Sequence, residues 1–221
     1  MRNRFDQQLE ALNQALIEMG GLIEDAIENA VEALLKKDAG LARKAIALDA
    51  SVDDKERAIE RLCLQLLLQQ QPVARDLRTI SAALKMITDL ERLGDQAADI
   101  SEITLHLREE PYILNLHRIP QMGKTAIGMV RDSIDAFISR DMDLAHEVIA
   151  RDDQVDQLFL EVRQDLIDLI REDPAHGSQA MDLLMVAKYM ERIGDHATNV
   201  AEWVLFAITG VHKTVGDGPR L

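Results

Sequence analysis

The chain has 221 residues, 47% of them hydrophobic but only 3% aromatic, and a formal net charge of −14. Leu, Ile and Ala dominate over β-branched runs, which points to an all-helical protein. The charge argues against a nucleic-acid partner, which needs a basic face, and the single Cys63 excludes an internal disulfide.

The first helix is expected from about Asp6 to Lys37. Phe5, Leu9, Leu12, Leu16, Met19, Ile23, Ile27, Val31 and Leu34 recur at spacings of three and four, and Gly20-Gly21 offers a bend. Asp38-Ala39-Gly40 makes a turn into a second helix, from about Leu41 to Gln70, in which Cys63 falls on the apolar side as a small core residue. Gln71-Pro72 ends it, because a proline disfavours helix in the residue before it. The third helix runs from about Ala74 to Leu107. Residues 111–120, from Pro111 to Pro120, read as a linker. A fourth helix spans about Gln121 to Ser139, a fifth ends near Glu172 before Asp173-Pro174, and the sixth runs from about Ser178 to Thr209. The tail, 210–221, has no apolar periodicity and is expected to be disordered. No apolar run approaches the ~18 residues of a membrane span, and the N-terminal stretch lacks the apolar segment of a signal peptide.

The second half repeats the first. Leu90-Glu91-Arg92-Leu93-Gly94-Asp95-Gln96-Ala97-Ala98-Asp99 returns as Met190-Glu191-Arg192-Ile193-Gly194-Asp195-His196-Ala197-Thr198-Asn199, and Asp49 and Asp53 return as Asp152 and Asp156. The turn Lys36-Lys37-Asp38 is mirrored by Ser139-Arg140-Asp141. The fold expected is therefore all-α, two tandem antiparallel three-helix bundles over 1–110 and 121–209 related by an internal repeat.

Each half carries an Asp-x-x-x-Asp in its second helix and a Glu-x-x-x-Asp in its third, and residues four apart on a helix point the same way. If neighbouring helices bring the pairs level, four carboxylates converge: Asp49, Asp53, Glu91 and Asp95 in one half, Asp152, Asp156, Glu191 and Asp195 in the other. Such a cluster calls for protons or for hard cations with oxygen ligands. On a helical wheel, Glu91 falls on the face defined by Ile80, Leu84, Ile87 and Ala98, and Asp95 on its edge, where a bare charge is costly. Two metal-free readings stand beside this one: solvated acidic faces, or neutralisation by Arg92 and Arg192. Gly94 and Gly194 cost about 1 kcal/mol each within a helix, a cost that close helix approach would offset. His196 follows Asp195 directly and so faces elsewhere, which favours a solvent-side or packing role over a ligand. The Glu-x-x-His of ferritin-like di-iron sites is absent, and no nucleophile with a base or phosphate loop is visible. A metal-dependent phosphoester hydrolase and a metal-free helical scaffold are the competing classes.

Gln71-Pro72-Val73-Ala74-Arg75-Asp76-Leu77-Arg78 followed by Asp89-Leu90-Glu91-Arg92-Leu93-Gly94-Asp95 resembles the first signature of the PhoU family, and Met190 through Glu202 resembles the second. Ile208-Thr209-Gly210 is similar to the family's C-terminal end, whereas Asp99 stands where the family usually has Asn. The resemblance implies a cytoplasmic regulator of phosphate uptake, often a homodimer, placed between the ATPase subunit of the phosphate ABC transporter and the sensor histidine kinase of the phosphate regulon. Such a protein would act as a negative regulator when phosphate is plentiful, and would meet the inner face of the membrane only through partners. It also implies that the eight carboxylates named above ligate iron, zinc, manganese or magnesium, with Arg92 and Arg192 orienting them. Arg75, Asp76 and Arg78 are candidates for partner contact.

Overall fold

The computed structural model describes residues 2–70, 72–107, 109, 111–113 and 116–211. Six long helices carry the chain: α1 (Arg2–Lys36), α2 (Ala39–Gln70), α3 (Ala74–Leu107), α4 (Arg118–Ser139), α5 (Met142–Glu172) and α6 (Gly177–Thr209), with one 3₁₀ turn at Pro174–His176 before α6. There is no strand among the described residues.

The turns follow from local chemistry. Asp38 closes the α1–α2 turn: its Oδ1 accepts from the amides of Gly40 at 2.7 Å and Leu41 at 3.2 Å, so α2 starts at Ala39 rather than at Leu41. Asp141 does the same for α5, accepting from Leu144 N at 3.0 Å. The residues just before these caps, Lys37 and Arg140, both take left-handed backbone angles, with φ of 55° and 58°, which is how the repeat preserves one turn twice. Gly20-Gly21 does not interrupt α1. The expected linker shortens because α4 begins at Arg118. Pro120 thus lies in the helix's first turn, where its missing N–H has no intrahelical partner to lose. The part of the linker described here is strapped down. Tyr112 donates its hydroxyl to the Leu34 carbonyl at 2.5 Å, and Gln179 takes the Ile113 amide at 2.7 Å while donating to Pro111 O at 3.0 Å. Of the expected tail, only Gly210 and Val211 belong to the described residues; Gly210 caps α6 with φ 77°.

Each trio closes on itself, α2 against α1 and α3, α5 against α4 and α6. The trios then sit side by side, α3 along α6 and α1 along α4, so that α2 and α5 form the two flanks. One continuous apolar core runs through both halves, from Leu12, Met19, Ile27 and Leu90 to Val130, Leu183, Met190 and Val204. Cys63 is part of it, and burial, with Glu60 adding to it, pushes its thiol up to about 12. Glycine allows the halves to meet closely: a Cβ on Gly123 would lie 2.8 Å from Val31 Cγ2 across the α1–α4 contact. Polar ties join the flanking helices to the centre, including Arg118 of α4 to Glu161 of α5 at 2.9 Å and Lys55 of α2 to Glu18 of α1.

Candidate metal centres and the family match

The two acidic clusters form where α2 crosses α3 and where α5 crosses α6. The crossings are close because Gly94 and Gly194 present no side chain. A Cβ on Gly94 would stand 3.1 Å from Asp49 Oδ1 and 3.3 Å from Val52 Cγ1. On Gly194 it would stand 2.8 Å from Asp152 Oδ1 and 3.5 Å from Val155 Cβ. The glycines therefore cradle the first aspartate of the neighbouring helix's pair, and the valine three residues on fills the core beside it.

Convergence shows in how the carboxyls act on one another. Burial, followed by Asp95, Asp53 and Asp99, raises Asp49 above the ordinary carboxylate range. Glu91 is raised first by burial and then by Asp95, against the pull of Arg92. In the second cluster, burial and then Asp195, Asp156 and Glu191 push Asp152 up to about 7. Asp156 and Asp195, whose side chains still reach water, are raised by partial desolvation and then by Glu191. All eight expected residues thus fall into two groups of four, one per half.

As the side chains stand, however, no three His, Cys, Asp or Glu groups among the described residues are drawn close enough to hold an ion. Several carboxylates turn instead to cations. Arg92 Nη1 donates to Asp95 at 2.8 Å and its Nε lies 3.5 Å from Glu91; Arg57 Nη2 donates to Asp53 at 2.9 Å. In the second half the partner of Glu191 is Lys188, whose Nζ lies 2.6 Å from Oε1, rather than the Arg192 implied by the family resemblance. Arg192 bears on Asp99 across the α3–α6 contact. Among the described residues, the buried carboxylate oxygens without a hydrogen-bond partner are Asp49 Oδ1 and Asp152 Oδ1, the two over the glycines. A buried carboxylate oxygen with no donor is what a hard cation or a proton would satisfy, so the donor set fits an oxygen-ligated metal. The first group is the richer in acid, since Glu56 and Asp99 are also raised by burial and by neighbouring carboxylates.

A second polar assembly was not anticipated. Asp89 of α3 accepts from Asn199 Nδ2 at 3.1 Å and Trp203 Nε1 at 3.3 Å, and its Oδ1 lies 3.0 Å from His196 Nδ1. His196 therefore faces α3, which is the packing alternative rather than the solvent-side one. The repeat partner of this contact is Tyr189 with Asp99, where burial and then the Asp99 carboxylate raise the tyrosine hydroxyl. The Asp99 that departs from the family pattern thus neighbours the tyrosine that replaces Asp89 in the second half. Only the pairing of position 89 with 199 and 189 with 99 would have revealed this, and periodicity along one helix does not report it.

Residues 16–104 and again 119–204 match the family model described as the PhoU domain. The chain belongs to the PhoU family. It is 40% identical to the phosphate-specific transport system accessory protein PhoU homolog of Clostridium acetobutylicum, over 98% of this chain and 99% of that one. It is also 40% identical to the Aquifex aeolicus homolog, over 84% of each. The crystal structure of PhoU from Pseudomonas aeruginosa superposes with a TM-score of 0.89 at 35% identity, covering 94% of this chain and all of that one. The phosphate transport system regulatory protein PhoU from Streptococcus pneumoniae superposes with a TM-score of 0.87 at 28% identity, covering 96% of this chain. These PhoU relatives are named as accessory or regulatory proteins, not as enzymes. No helix among the described residues is long and apolar enough to cross a membrane.

Proposed function

We propose that this chain is a cytoplasmic regulator of phosphate uptake and of the phosphate-starvation response. It works as an adaptor between the ATPase subunit of the phosphate-specific ABC transporter and the sensor histidine kinase, restraining both when phosphate is plentiful. The observation that supports this most directly is 40% identity across nearly the full length of an accessory protein of the phosphate-specific transport system. An adaptor has no need of a reaction centre, and the long flanking helices α2 and α5 each leave an outer face for a partner. In this reading the two carboxylate clusters hold divalent or trivalent cations, iron, zinc, manganese or magnesium, between α2 and α3 and between α5 and α6. Bound cations would relieve the repulsion within each cluster and fix the flanking helices, and the protein acts as a homodimer.

The test is co-purification with the ATPase subunit and with the cytoplasmic part of the kinase in high-phosphate buffer. Retention of both supports the adaptor, and clean absence of both overturns it. In cells, deleting the gene should leave a phosphate-starvation reporter active at high phosphate.

A further inference from the structure

One basic cluster lies outside the acidic sites. Arg75 and Arg78 are three residues apart at the start of α3 and share a side of the helix. Arg140 ends α4 with its left-handed backbone and reaches toward them, its Nη1 3.2 Å from Thr79 Oγ1 and its Nη2 3.5 Å from the Ala207 carbonyl. Arg78 lies along the backbone of Gly210 at the end of α6, where a Cβ would stand 3.4 Å from Arg78 Cδ and 3.5 Å from Nε. That Nε is buried and has no hydrogen-bond partner among the described residues. Burial, and then the charges of Arg75 and Arg78, hold the Arg140 guanidinium below its ordinary value, with Asp76 as the neighbouring carboxylate. Thirteen residues, about 20 Å of helix, separate Arg78 from Glu91, so the cluster does not serve to neutralise the candidate metal centre.

The fold itself does not require these arginines, as the repeat demonstrates. The equivalent turn at the other end has Lys37 for Arg140, with the same left-handed backbone. Ala175 and Ser178 stand where Arg75 and Arg78 would be. There Lys37 rests over the Tyr112 ring, 4.2 Å from its centre. One end of the duplicated structure has thus gathered three guanidinium groups, with a buried donor unspent, in a chain whose net charge is −14.

We propose that Arg75, Arg78 and Arg140 form a binding site for a free tetrahedral oxyanion, inorganic phosphate. Guanidinium groups offer only donors, in a planar fork that matches phosphate oxygens, and the positive end of α3 adds to the same field. An anion seated there would supply the acceptor that Arg78 Nε lacks and would tie the start of α3 to the ends of α4 and α6.

The test titrates the full chain with inorganic phosphate at ionic strength held constant with chloride, followed by calorimetry and by thermal unfolding. Saturable binding and a rise in Tm over the chloride control are expected, with sulfate competing because guanidinium groups donate to either anion. R78Q and R140Q should each weaken binding about tenfold or more, R75Q less, and R61Q on the exposed face of α2 not at all. Circular dichroism without phosphate reports whether each variant is folded; if R78Q is not, R75Q and R140Q carry the test. Identical titrations in phosphate and chloride, or phosphate binding unchanged in R140Q and R75Q, would overturn the site. Partner capture does not enter this readout, so failure here leaves the adaptor reading standing, and failure of the adaptor leaves the oxyanion site measurable.

Discussion

Asp152 Oδ1 lies 2.8 Å from the point that a β-carbon on Gly194 would occupy. The aspartate and the glycine are thus fitted to each other, and the same pair in the first half, Asp49 and Gly94, is looser at 3.1 Å. Replacing a helical glycine with alanine gains about 1 kcal/mol of propensity, while forcing an atom into a filled space costs about 1–3 kcal/mol. Gly194→Ala is therefore expected to destabilise the protein by about 1 kcal/mol, and Gly94→Ala to come out near zero. Gly21, where an added Cβ meets nothing within 4 Å, is the reference, and Gly21→Ala should stabilise by about 1 kcal/mol. Urea unfolding of the three variants would check the ranking, which fails if Gly194→Ala is as benign as Gly21→Ala.

The same aspartate makes a pH dependence. Its carboxyl is raised to about 7 in the folded chain by burial and by Asp195, Asp156 and Glu191, while in the unfolded chain it returns to about 4. Between those values the folded state holds the extra proton, so stability falls as pH rises from about 4 to about 7 and the full cost is present above that. Partial access to water reduces the cost to about 1–2 kcal/mol. Asp152→Asn should flatten this part of the profile and raise Tm at pH 7.5 in chelator-treated protein. A profile in the variant as steep as in the parent would show that other carboxylates dominate.

Cations should act on the same balance from the other direction. Manganese or iron added to chelator-treated protein is expected to raise Tm at neutral pH and to shrink the pH slope, because ligands binding only the folded state stabilise it. Glu91→Ala/Asp95→Ala should abolish the response of the first cluster and leave that of the second. Elemental analysis of protein purified without chelator gives the independent reading, and the absence of metal together with an unresponsive Tm would return the clusters to bare carboxylates.

Asp89 is expected to matter as much as any apolar contact between the halves. It accepts from Asn199 and Trp203 and meets His196. Asp89→Ala strands the donors of two of them at a partly buried interface, a loss of about 1–3 kcal/mol. Trp203 is the chain's only tryptophan, so its fluorescence reports this contact directly. A shifted emission maximum in the folded variant, with a lowered urea midpoint, is the predicted result; unchanged values of both would contradict the assignment.

The repeat and the helices were readable because apolar residues recur at helical spacing and because the duplicated turns keep their capping aspartates. The repeat pointed to Asp49 and Asp95 as neighbours only on the condition that antiparallel packing brings α2 level with α3. Other features depend on where a helix is rotated about its axis. Lys188 rather than Arg192 serves Glu191 because Arg192 points across to α3, and no one-helix pattern distinguishes these. Asp89 and His196 are 107 residues apart, and their meeting depends on how the trios dock. The expected linker ran to Pro120 because a proline within the first turn of a helix looks, in sequence, like one that precedes it.

The docking of the trios bears on how the chain can be divided. Gly20 meets Ile134 and Gly123 meets Val31 across the midline, so each trio relies on the other to keep its inner surface dry. A fragment ending near residue 110 would not be a small version of the protein. It would leave a long apolar flank in water. The unlike contacts at 89 with 199 and 189 with 99 mean that the two ends of the joined core are not interchangeable.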